Sequence, residues 1–240
     1  MLDLPPQQHI IVVTASRTPE AEETSPASVT LIDDRRIERI GTPLVTDLLR
    51  LAPSVAVSSS GPAGSLTDVR IRGAEANHTL LFIEGIRAND PAAGNAPRFE
   101  LLNADLSSRI EVERGPQSAL WGSEAIGGVI AVEGAAPGSG GSLLDVEAGS
   151  FASRRAAART SVGSADRGLS FAVAGQRSDG IDSFSGTGDR DGYRNLAARV
   201  AGSYRLGELL DIDASAFALR GTSEFDGFDP TTFLRGDTED

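Results

Sequence analysis

Five stretches in the second half of this 240-residue chain alternate apolar and polar residues with a period of two: Ser142–Ser150, Arg155–Gly163, Gly168–Arg177, Tyr193–Leu206 and Leu209–Arg220. That period places successive side chains on opposite faces of an extended strand. Leu144, Val146 and Ala148 fall on one face, with Asp145 and Glu147 on the other. Leu210, Ile212, Ala214, Ala216 and Ala218 repeat the arrangement opposite Asp211, Asp213 and Ser215. Tight links (S-F-A-S, R-L-G-E) join some of the stretches, and long acidic loops join the others. Segments of about ten residues with short and long connections fit a transmembrane β-barrel. An antiparallel sheet wetted on one side fits the alternation equally well.

The first 134 residues read differently. Residues 1–9 carry two prolines, two glutamines and no periodicity, and Ile10–Ala15 (I-I-V-V-T-A) is an apolar, β-branched run suited to one strand. A β-prone segment beside a loose terminus is a template for strand addition by another protein. Ser28–Ile32 reads as a strand, and D-D-R-R-I-E-R-I-G as a short helix capped by Asp33 or Asp34 and ended by Gly41. Thr42 and Pro43 are the expected cap and first position of a second helix, with Val45, Leu48 and Leu49 as its apolar stripe. Leu66–Arg72 and Thr79–Ile83 are strands, the second turned by Glu84–Gly85 into Ile86–Arg87. Residues 88–98 have the composition of a surface loop, and L-L-N-A-D-L-S-S that of a short helix. R-I-E-V-E-R is a strand, Q-S-A-L-W-G-S-E-A-I-G-G a compact turn and helix, and V-I-A-V-E closes the unit near Glu133. A linker, A-A-P-G-S-G-G (135–141), follows.

Several functions are excluded. Net charge is 22 − 34 = −12, without a basic stripe for nucleic acid. The absence of cysteine removes thiolate and disulfide chemistry. His9 and His78 are the sole histidines, no serine has a nucleophile-elbow context, and no phosphate loop occurs, so the chain is not read as an enzyme. No apolar run approaches the ~20 residues of a membrane-spanning helix, and M-L-D-L-P-P-Q-Q lacks the features of a signal peptide. Arg70 and Arg72 share one strand face, as do Glu111 and Glu113; were those strands neighbours, the rows would pair.

The acidic loops supply hard oxygen ligands: Asp182, Asp189 and Asp191 in one, Asp226, Asp229 and Asp237 in the next. Calcium takes six to eight such oxygens. D-R-D-G lacks the rest of an EF-hand loop, which leaves two hairpin loops converging on a cation, or acids that are merely solvated.

Taken together, I-I-V-V-T-A-S-R, I-R-G-A-E-A-N-H-T-L-L-F-I-E-G-I-R and E-V-E-R-G-P-Q-S-A-L-W-G-S-E-A-I-G-G-V resemble TonB-dependent outer-membrane receptors, in particular their cobalamin-receptor branch. The resemblance implies an α+β plug domain followed by the first antiparallel strands of a transmembrane β-barrel, the chain being a fragment. Its divisions would be a flexible N-terminus (1–9), a TonB box (10–16), the plug (17–134), a linker (135–141) and the N-terminal part of the barrel with outer loops (142–240). It implies a bacterial outer-membrane location and an active transport receptor whose partners are TonB, outer-membrane lipid and a scarce nutrient, with cobalamin leading. TonB would bind Ile10, Ile11, Val12, Val13, Thr14 and Ala15. Ligand-facing positions would be Ser60, Ser65, Leu66, Asn89 and Gly94, and structural calcium would bind Asp182, Asp189, Asp191, Asp226, Asp237 and the backbone oxygen of Phe225. Glu75 stands where that branch has an amide, so a siderophore or other large nutrient is the alternative. From a different class, a soluble β-rich binding protein with a plug-like module also fits.

Overall fold

The computed structural model describes residues 11–12, 20–21, 28–164, 166–182, 190–207, 209–228 and 235–239. Two short strands, β1 (Ile11–Val12) and β2 (Glu20–Ala21), pair with each other. The first globular unit begins at β3 (Ser28–Asp33) and α1 (Asp34–Ile40). Asp33 caps α1 by accepting the Arg36 N–H at 2.9 Å, and Gly41 ends it in the left-handed region at φ 66°. The second helix, α2 (Val45–Leu49), starts later than expected. Leu44 bridges Asn103 in extended geometry and the Val45 N–H donates to Leu102 O, so the backbone before Val45 is held by tertiary pairing. Thr42 instead donates its hydroxyl to Asp47 at 2.7 Å.

Next come β4 (Val55–Ser59) and β5 (Thr67–Ile71), an antiparallel pair, then β6 (Thr79–Ile83) and β7 (Ile86–Arg87). Glu84 (φ 52°) and Gly85 (φ 75°) form the two-residue turn between β6 and β7, the positive-φ pair that a tight hairpin requires. The 88–98 loop holds a two-residue pair, β8 (Asn89–Asp90) with β9 (Ala96–Pro97). The segment expected as a short helix around 101–108 forms two separate 3-10 turns, Phe99–Leu101 and Ala104–Leu106. Strand β10 (Arg109–Arg114), helix α3 (Ser118–Trp121) and β11 (Gly128–Glu133) complete the unit.

Five of these strands make one sheet in the order β3-β10-β11-β6-β7, with β11 and β6 parallel. Its core holds Ile32, Leu48, Leu49, Ile71, Leu81, Phe99, Ile110 and Ile130. The strands bearing Arg70 and Glu111 are not neighbours: β5 pairs β4, while β10 lies between β3 and β11. The expected cross-strand rows therefore do not form. Arg109 pairs with Glu111 on its own strand, and Arg70 with Asp68 at 2.8 Å.

The second unit is a six-stranded antiparallel sheet in sequence order: β12 (Ser142–Ala148), β13 (Arg154–Gly163), β14 (Arg167–Ile181), β15 (Asp191–Leu206), β16 (Leu210–Phe228) and β17 (Arg235–Glu239). The five alternating stretches are its first five strands. One face is apolar and exposed, with Leu144, Val146, Leu169, Phe171, Leu196 and Val200. The other carries small buried residues (Ala157, Ala172, Ala174, Ala197, Ala201) that let the globular unit approach closely. Among the described residues no helix is long and apolar enough to cross a membrane, which leaves open a crossing by strands.

Gly127 and Gly128 sit where β11 meets β10 and the end of β5. A Cβ on Gly128 would lie 2.2 Å from Glu113 O and 2.9 Å from Ile71 Cδ1, both in the core. Gly128→Ala is expected to cost about 1–3 kcal/mol through overpacking. Hydrogen exchange would show this as faster exchange in β10 and β11; unchanged protection there would refute the steric reading.

Candidate functional site

Arginines on the inner face of the strand wall meet carboxylates of the globular unit. Arg155, buried on β13, donates to both Asp105 oxygens at 2.9 and 2.7 Å, to Glu147 at 2.9 Å and to Gly41 O at 2.8 Å. Arg159, two pairs along the same face, contacts Asp34 at 2.6 Å, Glu38, and Ser107 O at 3.2 Å. Arg199 on β15 is 5% exposed and binds Glu84, itself 9% exposed, at 2.6 Å. Glu84 also accepts the Gly134 N–H at 2.7 Å, while Arg199 donates to Ala135 O at 3.1 Å. The β6–β7 turn, the exit of β11 and the wall thus share one ionic centre. The 135–141 segment is fastened as well, since Ser161 and Ser170 donate to Ala136 O and Ala135 O at 2.8 and 2.6 Å.

These arginines were not singled out from the sequence, yet a signal exists. Arg155, Arg159 and Arg199 occupy the same strand parity as the small residues Ala157, Ser161, Ala197 and Ala201. A long cation among alanines on a strand face needs an acidic partner across the gap.

At the far end of the wall, the 61–66 loop packs under β15 and β16. A Cβ on Gly64 would overlap the Tyr193 ring at 2.1 Å, and Ser223 donates to Ala63 O at 3.3 Å. Of the expected ligand positions, Ser65 and Leu66 belong to this loop and Ser60 directly precedes it; Leu66 is exposed, Ser65 is buried, and the Ser60 hydroxyl contacts Leu66 O. Asn89 is buried, and its amide accepts from Leu81 N–H and donates to Thr79 O and Asn95 O, holding β6 to the 90–95 turn. Gly94 (φ 64°) borders a cleft of about 410 Å³ lined by Arg70, Glu75 and Asn77. The structure therefore gathers Ser60, Ser65 and Leu66 and leaves Asn89 and Gly94 on a separate loop.

The expected cation ligands are partly described. Asp191 is Cα partner to Ile181, so Asp182 lies one residue beyond that pair at the tip of the β14–β15 hairpin. Asp226 is Cα partner to Asp237 and Phe225 to Thr238 on the β16–β17 hairpin. Glu224 accepts the Gly192 N–H at 3.1 Å, which brings the two hairpins side by side. Among the described residues no three acidic or histidine side chains come within metal-holding reach of one another. Asp189, and Ile10, Val13, Thr14 and Ala15 of the N-terminal segment, lie outside the described residues.

A second cavity, of about 580 Å³, opens at the opposite end between α1, the 134–141 segment and β13, lined by Asp34, Glu38, Arg109, Glu133 and Arg159. Burial, together with the nearby Glu111 and Glu84 charges, pushes the Glu133 carboxyl above its usual 4.5, against the pull of Arg109 and Arg199.

Three outcomes are expected. Because the folded state holds the Glu133 proton more tightly than the unfolded chain does, its contribution is fully present below pH 4.5 and lost as pH rises through the raised value. Glu133→Gln should therefore protect β11 from amide exchange better than wild type at neutral pH, with no difference below pH 4.5. Arg199→Ala, which leaves Glu84 buried without its cation, should cost about 3–5 kcal/mol at that centre, read as faster exchange of Gly134. The Glu84→Gln/Arg199→Gln pair should lose less than the sum of its singles; strict additivity would remove the coupling.

Residues 21–129 match the family model described as the TonB-dependent Receptor Plug Domain. The chain is 37% identical over 123 residues to the vitamin B12 transporter BtuB of Vibrio vulnificus, covering 51% of this chain and 20% of that protein. Its fold is similar to the pyoverdine outer membrane receptor FpvA of Pseudomonas aeruginosa, with a TM-score of 0.74 and 17% identity over 89% of this chain and 30% of that one. The ferric yersiniabactin uptake receptor FyuA of Yersinia pestis superposes with a TM-score of 0.61 and 20% identity, covering 83% of this chain and 32% of that one. The chain thus spans about a fifth of the curated relative and under a third of these solved receptors. Such relatives are transport receptors rather than enzymes. Residues 21–129 thus match the plug domain of TonB-dependent receptors, and together with the antiparallel strands that follow the chain has the fold of the corresponding part of these solved receptors.

Proposed function

We propose that this chain is the plug and part of the barrel of an active transporter that takes cobalamin through the outer membrane with work supplied by TonB. The observation that carries the substrate is the 37% identity to a vitamin B12 transporter, set against 17–20% for the two siderophore receptors. The strand ends at Gly163, Arg167, Leu206 and Leu210 would face the periplasm, and those at Ile181, Asp191, Phe228 and Arg235 would face outward, following the habit of outer-membrane barrels. On this reading the 61–66 loop is the floor of the ligand site.

Asp182, Asp189, Asp191, Asp226, Asp237 and the Phe225 carbonyl would hold calcium. Their hard oxygens suit that ion, and adjacent hairpins carry them. Bound there, calcium supplies charge neutralisation that fixes the two hairpins over the ligand. Ile10–Ala15 would be the TonB-binding strand. Its Ile11–Val12 already pairs with Glu20–Ala21, so recruitment exchanges an intramolecular partner for TonB. Ligand binding shifts that exchange only by its different affinity for the two states; movement against a gradient requires the external pull. A siderophore is the second reading, favoured by the charged pair Arg70 and Glu75 at the cleft beside Gly94, which suits an ionic ligand better than a neutral amide rim.

Isothermal titration of the refolded full receptor separates these. Cobalamin is expected to bind, with affinity falling at least tenfold when calcium is chelated, and with the same loss in Asp191→Asn. Cobalamin affinity indifferent to calcium would eliminate the metal role. Binding of ferric siderophores alone would move the substrate and leave the transporter standing.

A further inference from the structure

Strand β6 is flanked unevenly. On one side β11 runs along its whole length, from Gly128 beside Thr79 to Val132 beside Ile83. On the other, β7 pairs with Phe82 and Ile83, so among the described residues Thr79 and Leu81 have no strand beside them there. A side chain fills that place. Asn89 is buried; its Oδ1 accepts the Leu81 N–H at 3.0 Å and its Nδ2 donates to Thr79 O at 3.1 Å. These are the acceptor and donor that a further strand would present to β6. Nδ2 also donates to Asn95 O at 2.8 Å.

Those bonds span the cleft of about 410 Å³ beside Gly94. Ala93, Gly94 and Ala96 form one side of it, and Gly73, Glu75 and Asn77 the other. Thr79 directly follows the 3-10 turn Ala76–His78 on that second side. One amide therefore ties the foot of one side to the other. Asn95, left-handed at φ 66°, is held a second time, since its Oδ1 accepts from Arg87 at 2.8 Å and Arg87 also pairs with Glu124. Within the loop, Asp90 accepts the Asn95 N–H through its carbonyl and the Ala92 N–H through its Oδ1, both at 2.8 Å. The tip, Pro91–Gly94, is left exposed.

We propose that Asn89 is a positioning residue for ligand capture: its amide fixes the width of this cleft and holds the Pro91–Gly94 tip ready for the transported nutrient. The inference rests on reading the cleft as part of the ligand site. Both amide protons of Asn89 are used inside the protein, so it acts on the ligand through the loop rather than by touching it. A loop free to take other shapes binds with an affinity reduced by the fraction of molecules in the receiving shape. Without the Asn89 amide, the Leu81 N–H, Thr79 O and Asn95 O would each lose this partner, and the two sides of the cleft would lose their common tie.

The test is Asn89→Asp, which keeps the size and the acceptor but, when ionised, donates to neither carbonyl. Burial and the two facing carbonyls raise such a carboxyl above about 3.9, and its protonated form restores one donated bond. The charged groups around the position are Asp90 beside it, Arg87 and Glu124 on the Asn95 side, and Arg70 and Glu75 at the cleft. The refolded full receptor is titrated with cobalamin at neutral pH and at about pH 5, wild type in parallel, and amide exchange of Ala92 and Asn95 is followed without ligand. At neutral pH the variant should bind about tenfold more weakly and exchange both amides faster, and both effects should shrink toward wild type at about pH 5. Asn89→Gln, whose amide is displaced by one methylene, should lose about threefold at either pH, and it decides alone if Asn89→Asp does not refold. Undiminished affinity in the variant that folds, or a loss in Asn89→Asp that persists unchanged in acid, overturns the proposal. Unchanged exchange at Ala92 and Asn95 overturns it whatever the ligand does. A wild-type receptor that binds no cobalamin overturns the substrate reading alone, and the exchange result then decides whether Asn89 sets the loop.

Discussion

Arginine reaching from a strand wall to a carboxylate on the globular domain is the interaction on which this structure turns. The plug has its own apolar core, and what joins it to the wall is largely polar: Arg155 with Asp105, Arg159 with Asp34 and Glu38, Arg199 with Glu84. The small residues between these arginines set the distance, because a leucine in place of Ala157 or Ala197 would hold the plug away. Buried pairs of this kind add little net stability over an apolar contact but penalise any geometry that separates them. They specify where the plug sits. An apolar seam would instead resist every displacement in proportion to the area exposed.

Much of the fold could be read before any coordinates. The Asp33 cap and Gly41 stop of α1, the Glu84–Gly85 hairpin and the alternating wall strands are local features, written in adjacent residues. The errors share one cause, which is pairing between distant segments. Thr42–Leu44 looked like a helix start, but Asn103 claims Leu44 as a bridge partner. The proposed alignment of Arg70 with Glu111 needed two strands to be neighbours, and sheet order is a tertiary property that alternation within each strand does not fix.

The site divides in the same way. That acids cluster in the connections of the wall is visible in the sequence, and the register of β14–β15 and β16–β17 brings those connections to one end. The plug–wall arginines were legible in principle from strand parity, since an arginine on the face otherwise given to alanine must meet something. The partner was not legible. Asp105 follows Arg155's strand by no sequence rule; it is placed there by a 3-10 turn whose Asn103 cap accepts the Asp105 N–H at 2.8 Å.

The ionic contacts between plug and wall are graded along the chain. Arg159 meets the carboxylates of α1, next to the N-terminal edge strand β3, and both Asp34 and Glu38 are nearly half exposed to water. Contacts of that kind contribute little and exchange readily for solvent. Glu84, in the turn between the fourth and fifth strands of the sheet counted from β3, and its partner Arg199 on β15 are almost wholly buried and are reinforced by the Gly134 and Ala135 backbone. A load applied before Ser28 therefore reaches first an edge strand bonded to β10 and a water-accessible ion pair, and only afterwards the buried centre. The globular unit is fastened loosely at its N-terminal edge and firmly where its chain passes into the wall, so part of it can yield while the junction at Gly134 keeps its register.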